Sequence, residues 1–193
     1  MIGKSGRSTT IRELTRKDIP QLKELAIRIY RDTFSELNSP ENMEAFLQKD
    51  YSIESFNREF NEDNSAYFFA CIEGTPVGYL RLRRNEEAES QLGKNSLEIH
   101  RIYVDVNYQG KSIGRDLMQF AIDYAVRLKV DWIWLGVWEH NPRAKEFYRK
   151  WGFERFGEHV FQMGDDAQTD WLMKKKISAT SSSQPGSSDT SSV

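Results

Sequence analysis

Residues 96–116 run SLEIHRIYVDVNYQGKSIGRD and contain the pattern that decides the fold. The segment begins as a predicted strand in which Leu97 and Ile99 are apolar at odd positions, but beyond Arg101 the apolar residues stand at even positions. One extra residue moves every later side chain to the other face of a strand, so this shift predicts a β-bulge near His100. A bulge frees backbone N–H groups that can bind a ligand. The alternative is a strand buried on both faces, in which no alternation needs to break.

A turn of small residues follows the strand and precedes an amphipathic helix. Its sequence is Gln109-Gly110-Lys111-Ser112-Ile113-Gly114. Small residues let the backbone approach an anion, and the N-terminus of a helix favours negative charge. The turn is therefore a candidate pyrophosphate site, with an ordinary strand-to-helix turn as the alternative. It lacks the spacing of the P-loop and of the three-glycine dinucleotide fingerprint.

Strand and helix patterns alternate along the rest of the chain. Strands are predicted from alternation and helices from a period of about 3.6 residues, the last helix being capped by Asn141 and ending near Gly152. The strands are predicted over 9–15, 65–73, 76–84, 96–106, 131–138, 153–163 and 169–177, and the helices from Ile19 or Pro20 after a cap at Asp18, over 40–61, over 113–128 and from Pro142. The charged stretch 85–94 is predicted as a loop. This mixed order indicates an α/β fold with a largely antiparallel, twisted sheet and flanking helices.

Composition excludes several classes of protein. The chain has 27 basic and 29 acidic side chains and a net charge of -2, which gives no overall attraction to nucleic acid or to an anionic membrane. No apolar stretch approaches about 18 residues, and the polar N-terminus lacks the core of a signal peptide, so a soluble, cytoplasmic protein is expected. Cys71 lies in an apolar run and is predicted as a small buried hydrophobe. The histidines lack the spacing of a zinc site, so no metal is expected.

One domain is predicted over residues 1–177, because a hydrophobic content of 38% suffices for a single core. The serine-rich segment 178–193 has few apolar residues. It cannot bury enough apolar surface to offset its ordering entropy and is predicted to be a disordered tail. A regulatory segment that is phosphorylated is the functional alternative.

Two blocks of the sequence resemble the GCN5-related N-acetyltransferase (GNAT) family. The strand, the turn Gln109-x-x-Ser112-x-Gly114 and the following helix are similar to motif A, where the family usually carries Gln/Arg-x-x-Gly-x-Gly/Ala. Residues 141–153, NPRAKEFYRKWGF, are similar to the block Asn-x-x-Ala-x-x-Phe-Tyr-x-x-x-Gly-Phe. Ser112 departs from the family glycine and adds a side chain at the pyrophosphate. Over residues 9–177 the resemblance implies an acyl-CoA N-acyltransferase-like fold and an enzyme that transfers the acetyl group of acetyl-CoA to an amine.

Two further segments resemble the bacterial spermidine/spermine acetyltransferases of the Pai type, within the same family. They are residues 135–141, LGVWEHN, and residues 161–173, FQMGDDAQTDWLM. This resemblance implies a small-molecule amine as acceptor, namely a polyamine such as spermidine or spermine, and leaves a homodimer open. Another amine (a peptide N-terminus, lysine, an amino acid or an aminoglycoside) and a non-catalytic acyl-CoA-binding regulatory domain are the alternatives. Carboxylates at the pocket mouth would suit a polycation, and the candidates are Glu36, Glu139, Asp165 and Asp166.

The GNAT resemblance also implies which residues hold acetyl-CoA. The backbone of Ile102 and Val104, with Tyr103 between them, is implied to hold the pantetheine arm. Asn141 is implied to contact the cofactor while it caps its helix. The N–H groups implied to hold the pyrophosphate belong to Gln109, Gly110, Lys111, Ser112, Ile113 and Gly114. N–H groups near the bulge would polarise the thioester carbonyl, as in an oxyanion hole.

Tyr148 and Glu98 are the predicted catalytic residues. Tyr148 matches the general acid of the family, beside the cofactor, where its phenol can protonate the departing thiolate. An alkyl amine is protonated at neutral pH and must lose a proton before it attacks. By the family pattern Glu98 lies beside the thioester and could accept that proton through water, with His100 or water alone as rivals. The structural alternatives are an exposed strand carboxylate for Glu98 and a core aromatic for Tyr148.

Overall fold

The computed structural model describes residues 8–36, 38–163 and 166–177. Its strands are β1 (Thr9–Glu13), β2 (Ser65–Ile72), β3 (Thr75–Arg83), β4 (Ser96–Val104), β5 (Trp132–Trp138), β6 (Glu154–Met163) and β7 (Asp166–Lys176). Its helices are α1 (Ile19–Phe34), α2 (Pro40–Asp50), α3 (Ile53–Glu59), α4 (Glu89–Leu92), α5 (Ile113–Arg127) and α6 (Pro142–Lys150), and short 3-10 turns cover Arg16–Asp18 and Val106–Tyr108. The segment predicted as a disordered tail, 178–193, lies outside the described residues, as does Asp165.

Within the described residues, the strands form one sheet in the order β1-β2-β3-β4-β5-β7-β6. Neighbouring strands are antiparallel except for β4 and β5, which run parallel. One apolar cluster packs α5 against the sheet, and a second packs α1, α2 and α3 against its opposite face. This arrangement confirms the predicted α/β fold, in which helices flank a largely antiparallel sheet.

Local sequence explains the hairpin and the ends of the last helix. Glu73 and Gly74 turn β2 into β3 with φ angles of +50° and +80°. Two positive φ angles are typical of a type I′ turn, which glycine adopts without steric cost. α6 begins after Asn141, whose side chain accepts a hydrogen bond from the N–H of Ala144 at 3.0 Å, and it ends before Gly152, whose φ is +81°. Both predicted ends of this helix are confirmed.

Asp18 precedes α1, which begins at Ile19 as predicted, but its side chain does not cap the helix. The Asp18 carboxylate accepts hydrogen bonds from the N–H of Thr15 and from Arg12 Nη2, both at 2.8 Å. It therefore closes the 3-10 turn that precedes α1 and makes no side-chain bond to the first turn of the helix. The 3-10 turn between β1 and α1 brings the N–H of Thr15 to the Asp18 carboxylate, which bonds to it instead of to an N–H of the first helical turn.

Three other boundaries differ from the prediction. The helical region predicted over 40–61 is two helices, because Ser52 caps α3 by accepting from the N–H of Ser55 at 3.0 Å. The predicted loop 85–94 contains the single turn α4. β7 begins at Asp166 rather than at residue 169, because it pairs with β6 up to that point.

Cys71 is 3% exposed and belongs to the apolar cluster beneath α1, which confirms its prediction as a small buried hydrophobe. Burial raises the pKa of its thiol. In the described part of the chain, the helices are all too short or too polar to cross a membrane.

Candidate active site

The sheet opens at a bulge in β4. β4 pairs with β5 over three residues that end at Glu98, although both strands continue beyond this point. Against β3, the register of β4 shifts by one between Ile99 and Arg101, so His100 is an extra residue in the ladder. The predicted bulge is therefore confirmed, and it lies where β4 and β5 separate.

The bulge decides which face each side chain of β4 occupies. Before it, Leu97 and Ile99 are buried in the cluster beneath α5. After it, Tyr103 packs on the opposite face, beneath α1. Glu98 and Arg101 therefore share the face that carries Tyr103, although an unbroken strand would place residues three apart on opposite faces.

The backbone groups of Ile102 and Val104 point into the gap between β4 and β5. The N–H of Asp105 donates to a carbonyl of β3 at 2.9 Å. In an antiparallel ladder, the backbone groups of every second residue bond to the same neighbouring strand. The backbone of Tyr103 therefore also bonds to β3, and the backbone N–H and C=O groups of Ile102 and Val104 point away from β3. In agreement, the carbonyl of Val104 accepts from Gln109 Nε2 at 3.4 Å.

Two cavities meet in this gap. The first, the α5 cleft, has a volume of about 580 Å³ and lies between the end of β4, the start of α5 and α6. The second, the bulge cavity, has a volume of about 810 Å³ and lies over the bulge, beneath α1, α2 and α3. Both are lined by Ile102, Val104, Gln109, Asn141 and Tyr148. Two molecules that fill the cavities would meet at these residues.

Most of the predicted cofactor residues line the α5 cleft, namely Ile102, Val104, Gln109, Gly110, Ser112, Ile113, Gly114, Asn141 and Tyr148. Tyr103 instead lines the bulge cavity. The side chain of Lys111 does not line the cleft, and its Nζ donates to the carbonyl of Asn107 at 2.9 Å. Sequence reasoning missed Arg115 and Arg143, which also line the cleft. Their signal in the sequence was a positive charge directly after the turn 109–114 and another within the block 141–153.

The turn before α5 presents its backbone to the cleft. Gly110 and Ser112 have φ angles of +77° and +68°, in the left-handed region that favours glycine. Ser112 thus occupies a strained backbone position where motif A usually has glycine. A Cβ built on Gly114 would lie 3.9 Å from the nearest side-chain atom, so the cleft is open at that point. The free N–H groups of a helix start, together with Arg115 and Arg143, fit a pyrophosphate.

Tyr148 is buried at the junction of the two cavities. It is 9% exposed, and its ring packs against those of Phe147 and Phe153 at centroid distances of 5.5 and 6.1 Å. Burial raises the pKa of its phenol, so the hydroxyl stays protonated at neutral pH. Tyr148 can therefore act as a donor toward a molecule in either cavity.

Charged and aromatic side chains from many elements line the bulge cavity. Besides Tyr148, its aromatic residues are Tyr30, Phe34, Phe46, Tyr51, Tyr103 and Trp138. Its carboxylates are Asp50, Glu59, Glu62, Glu87, Glu98 and Asp170, and its cations include Lys49, Arg58, Arg81, Arg83 and Arg101. Among the described residues, the candidates Glu36, Glu139 and Asp166 do not line it. Sequence reasoning missed most of this set because its members are far apart in the chain.

Glu98 lies in the wall of the bulge cavity and is 5% exposed, so it is not an exposed strand carboxylate. Its carboxylate accepts hydrogen bonds from Arg83 Nε and Asn85 Nδ2. Burial raises the pKa of Glu98, and the Arg83 guanidinium partly opposes this effect. A carboxylate whose pKa is raised accepts a proton more readily than an exposed one.

His100 is held as a neutral imidazole. Its Nδ1 lies 3.0 Å from Arg81 Nη1. A guanidinium only donates, so Nδ1 accepts and the ring proton is assigned to Nε2. Burial and the neighbouring Arg101, Arg83 and Arg81 hold the pKa of His100 well below its usual range. The nitrogen that could take a proton is already occupied, which favours Glu98 over His100 as the base.

A second charged group lies at the rim of the bulge cavity. His159 Nδ1 is 2.8 Å from Glu87 Oε1, and its Nε2 is 3.7 Å from Asp170 Oδ2. Asp170 and Glu87 raise the pKa of His159 to about 10, so the imidazole carries a positive charge at neutral pH. The same contact lowers the pKa of Glu87.

Comparisons with known proteins agree with this geometry. The model of the acetyltransferase (GNAT) family matches residues 24–153. An uncharacterized N-acetyltransferase of the pepI 3′ region of Lactobacillus delbrueckii subsp. lactis is 38% identical over 165 residues, which cover 86% of this chain and 95% of the relative. The spermidine N(1)-acetyltransferase of Thermoplasma acidophilum is 25% identical over 173 residues, which cover 88% of this chain and 98% of the relative.

A solved structure has the same architecture. The PaiA N-acetyltransferase of Thermoplasma acidophilum, in complex with coenzyme A, matches with a TM-score of 0.72 and 25% identity over 88% of this chain and 99% of that one. The family match runs from α1 to Phe153 and includes the bulge, the turn before α5 and Tyr148. The chain therefore belongs to the GNAT acetyltransferase family and is an acetyl-CoA-dependent N-acetyltransferase.

Proposed function

We propose that this enzyme acetylates a primary amine of a polyamine such as spermidine or spermine. The observation that carries the proposal is the lining of the bulge cavity, where aromatic rings stand beside carboxylates. The resemblance of residues 135–141 and 161–173 to the Pai-type enzymes supports it, as does the similarity to a spermidine acetyltransferase. The residues at 164 and 165 lie outside the described part of that second segment.

The aromatic wall of the bulge cavity suits an alkylammonium chain. Tyr30 lies at its centre, with ring centroids 4.7 Å from Phe34, 5.0 Å from Phe46 and 5.3 Å from Tyr51. Ring faces attract ammonium groups, and their apolar surface covers the methylene groups between them. An aliphatic polyamine alternates these two chemistries along its length.

Asp50 is the carboxylate best suited to receive a substrate cation. It is half-buried in the wall of the bulge cavity, and burial raises the pKa of its carboxyl. Within the described part of the chain it has no hydrogen bond or salt bridge, whereas Glu59, Glu87 and Glu98 are each paired with a cation. Lys49, Arg101 and Arg58 act on Asp50 only from a distance, and a substrate ammonium would give it a direct ion pair.

The same proposal assigns the cofactor to the α5 cleft. The turn 109–114 and the two arginines would hold the pyrophosphate, and the backbone from Ile102 to Val104 would hold the pantetheine arm. When bound, acetyl-CoA supplies the activated acetyl group. This assignment directs the thioester toward the junction at Tyr148, beside the amine in the bulge cavity.

Glu98 and Tyr148 would then move the protons of the reaction. Glu98, through a water molecule, takes the proton that the ammonium group loses before its nitrogen attacks the acetyl carbon. Tyr148 donates its hydroxyl proton to the sulfur as the carbon–sulfur bond breaks, and its phenolate takes up the second proton, which the nitrogen loses as it becomes an amide. A buried phenol is a weaker acid than a free one, but a thiolate in the same dry site is also a stronger base.

An assay of coenzyme A release across a panel of amines tests the acceptor. We expect spermidine and spermine to give a higher kcat/KM than an alanine-terminated peptide, lysine or an aminoglycoside. A preference for the peptide would indicate that the acceptor is a protein N-terminus and not a polyamine. Binding of acetyl-CoA without turnover of any amine would favour a regulatory acyl-CoA-binding domain.

Asp50→Asn tests the cation site directly, because it keeps the size of the side chain and removes its charge. We expect the KM for spermidine to rise about five- to tenfold, since a partly exposed charge pair contributes about 1 kcal/mol. The KM for acetyl-CoA should not change. Glu54→Gln, which removes an exposed carboxylate from α3, is the matched control and should leave both constants unchanged. An unchanged KM for spermidine in Asp50→Asn would remove Asp50 from the acceptor site.

A further inference from the structure

Two buried arginines lie opposite each other at the bulge. Arg81 on β3 pairs in register with Arg101 on β4, immediately before the register shifts. Their side chains are 1% and 9% exposed. Like charges directly opposite each other in a sheet are destabilising, and burial increases the cost. This register therefore requires a negatively charged group that neutralises the two guanidinium groups.

Glu59, the last residue of α3, bridges the two arginines. Its Oε1 accepts from Arg81 Nη1 at 2.8 Å and from Arg101 Nη2 at 3.0 Å. Its Oε2 accepts from Arg101 Nη1 at 2.9 Å and from the hydroxyl of Tyr67. One carboxylate thus fastens β3 to β4 at the bulge and makes a bidentate pair with Arg101, the residue that follows the bulge.

We propose that Glu59 is a positioning residue that fixes the bulge and with it the direction of the N–H groups of Ile102 and Val104. The proposal rests on the placement of the pantetheine arm along these two residues. Loss of the bridge would leave Arg81 and Arg101 to repel each other across the register shift. The backbone that follows the bulge would then lose its alignment with the thioester.

The position of Glu59 in the wall of the bulge cavity offers a competing role, in which it binds the amine. Its bonding argues against that role, because each of its oxygens already accepts two hydrogen bonds from Arg81, Arg101 or Tyr67. A substrate ammonium would have to displace a buried guanidinium. Asp50, which has no such partner, is available at lower cost.

The test compares Glu59→Gln and Glu59→Asp with the matched control Glu44→Gln. Gln keeps the shape and removes the charge, whereas Asp keeps the charge but is too short to bridge both arginines. Glu44 accepts from Arg31 Nη2 at 2.7 Å and lies outside the lining of both cavities, so its loss breaks a carboxylate–arginine pair away from the bulge. Each protein is assayed well below its own Tm for kcat and both KM values. Calorimetry adds the Kd for coenzyme A and for adenosine 3′,5′-bisphosphate, which lacks the pantetheine arm and the phosphate that carries it.

We expect both Glu59 variants to lose about 10- to 100-fold in kcat, because small misplacements of reacting groups have effects of this size. Binding of coenzyme A should weaken about fivefold or more, as for a lost hydrogen bond, while binding of the bisphosphate stays within twofold. Glu44→Gln should match the unsubstituted enzyme in all of these measurements. If Glu59→Gln does not fold, Glu59→Asp decides by the same criteria, and Arg101→Lys, which cannot form the bidentate pair, replaces it if necessary.

Several results would overturn the proposal. A folded Glu59 variant with kcat within twofold of the Glu44→Gln control would show that the bridge does not position the reacting groups. A rise confined to the KM for the amine would assign Glu59 to the acceptor site instead. Equal affinity of the unsubstituted enzyme for coenzyme A and the bisphosphate would show that the pantetheine arm does not bind along Ile102 and Val104. This measurement needs no variant.

Discussion

The two halves of the candidate site are built in opposite ways. The α5 cleft is formed largely by two short segments, the end of β4 with the start of α5 and the start of α6, and it offers backbone groups to its ligand. The bulge cavity takes side chains from the helices α1, α2, α3 and α6 and from five strands, and it offers charges and aromatic rings. A backbone site needs a particular local conformation, which a short motif can specify. A side-chain site needs a particular tertiary arrangement, which no short motif contains.

Charge follows the same division. The buried carboxylates and arginines of the bulge cavity neutralise one another in pairs, as in Glu98 with Arg83 and Glu59 with Arg81. The α5 cleft instead offers Arg115 and Arg143 together with a helix start. The first half is thus suited to select among cations through Asp50, and the second is suited to hold an anion. Tyr148 lies on the boundary and lines both cavities.

The largest expected effect is at that boundary, in Tyr148→Phe. The substitution preserves the packing against Phe147 and Phe153 and removes only the hydroxyl. We expect kcat to fall about 10²- to 10⁴-fold, the range for a lost general acid, with little change in the KM for acetyl-CoA. Steady-state kinetics with spermidine at several pH values provide the measurement.

Tyr108→Phe is the control for the Tyr148 variant, because it removes a hydroxyl from the wall of the α5 cleft alone. Its kcat should stay close to that of the unsubstituted enzyme. A Tyr148→Phe enzyme with unchanged kcat at every pH would leave Tyr148 as a packing aromatic. The proton for the thiolate would then come from water.

The second largest effect is expected for Gly114→Glu, which changes the α5 cleft and leaves the bulge cavity unchanged. A carboxylate at about 5 Å from the pyrophosphate would repel it by about 3 kcal/mol, so the affinity for acetyl-CoA should fall more than about 100-fold in calorimetry. Gly114→Ala is the matched control and should bind normally, since its Cβ would make only an ordinary contact at 3.9 Å. Normal binding by a folded Gly114→Glu protein would place the pyrophosphate elsewhere.

The sequence predicted the half that is local. The alternation that breaks at His100 gave the bulge, and the turn after β4 and the cap at Asn141 appeared where expected. Each is specified by a few consecutive residues through backbone geometry. The roles of these residues in binding the cofactor, and of Tyr148 and Glu98 in catalysis, stay predictions.

The bulge cavity could not be predicted in the same way. Glu59 meets Arg101 across 42 positions of the chain, and Gln168 meets Asn38 across 130. Such partners depend on how helices dock on the sheet, and a single sequence contains no local signal of it. Of the carboxylates chosen from the sequence for the pocket mouth, Glu36, Glu139 and Asp166 do not line the cavity, which is lined by other carboxylates.

The smallest effect concerns stability, and it follows from the charged rim of the bulge cavity. Because Asp170 and Glu87 raise the pKa of His159 from 6.5 to about 10, the folded state holds a proton that the unfolded chain releases near pH 6.5. The resulting stability is fully present below pH 6.5 and is lost as pH rises toward 10. With a third of the side chain exposed, solvent screening limits the gain to roughly 1 kcal/mol, or about 2–4 °C in Tm.

His159→Gln should therefore melt about 2–4 °C below the unsubstituted protein at pH 6, with no difference near pH 10. His140→Gln, in the α5 cleft with a side chain 71% exposed, is the control and should change Tm by less than about 1 °C. A difference between His159→Gln and the unsubstituted protein that is constant with pH would mean that packing, rather than the charge on His159, stabilises this rim.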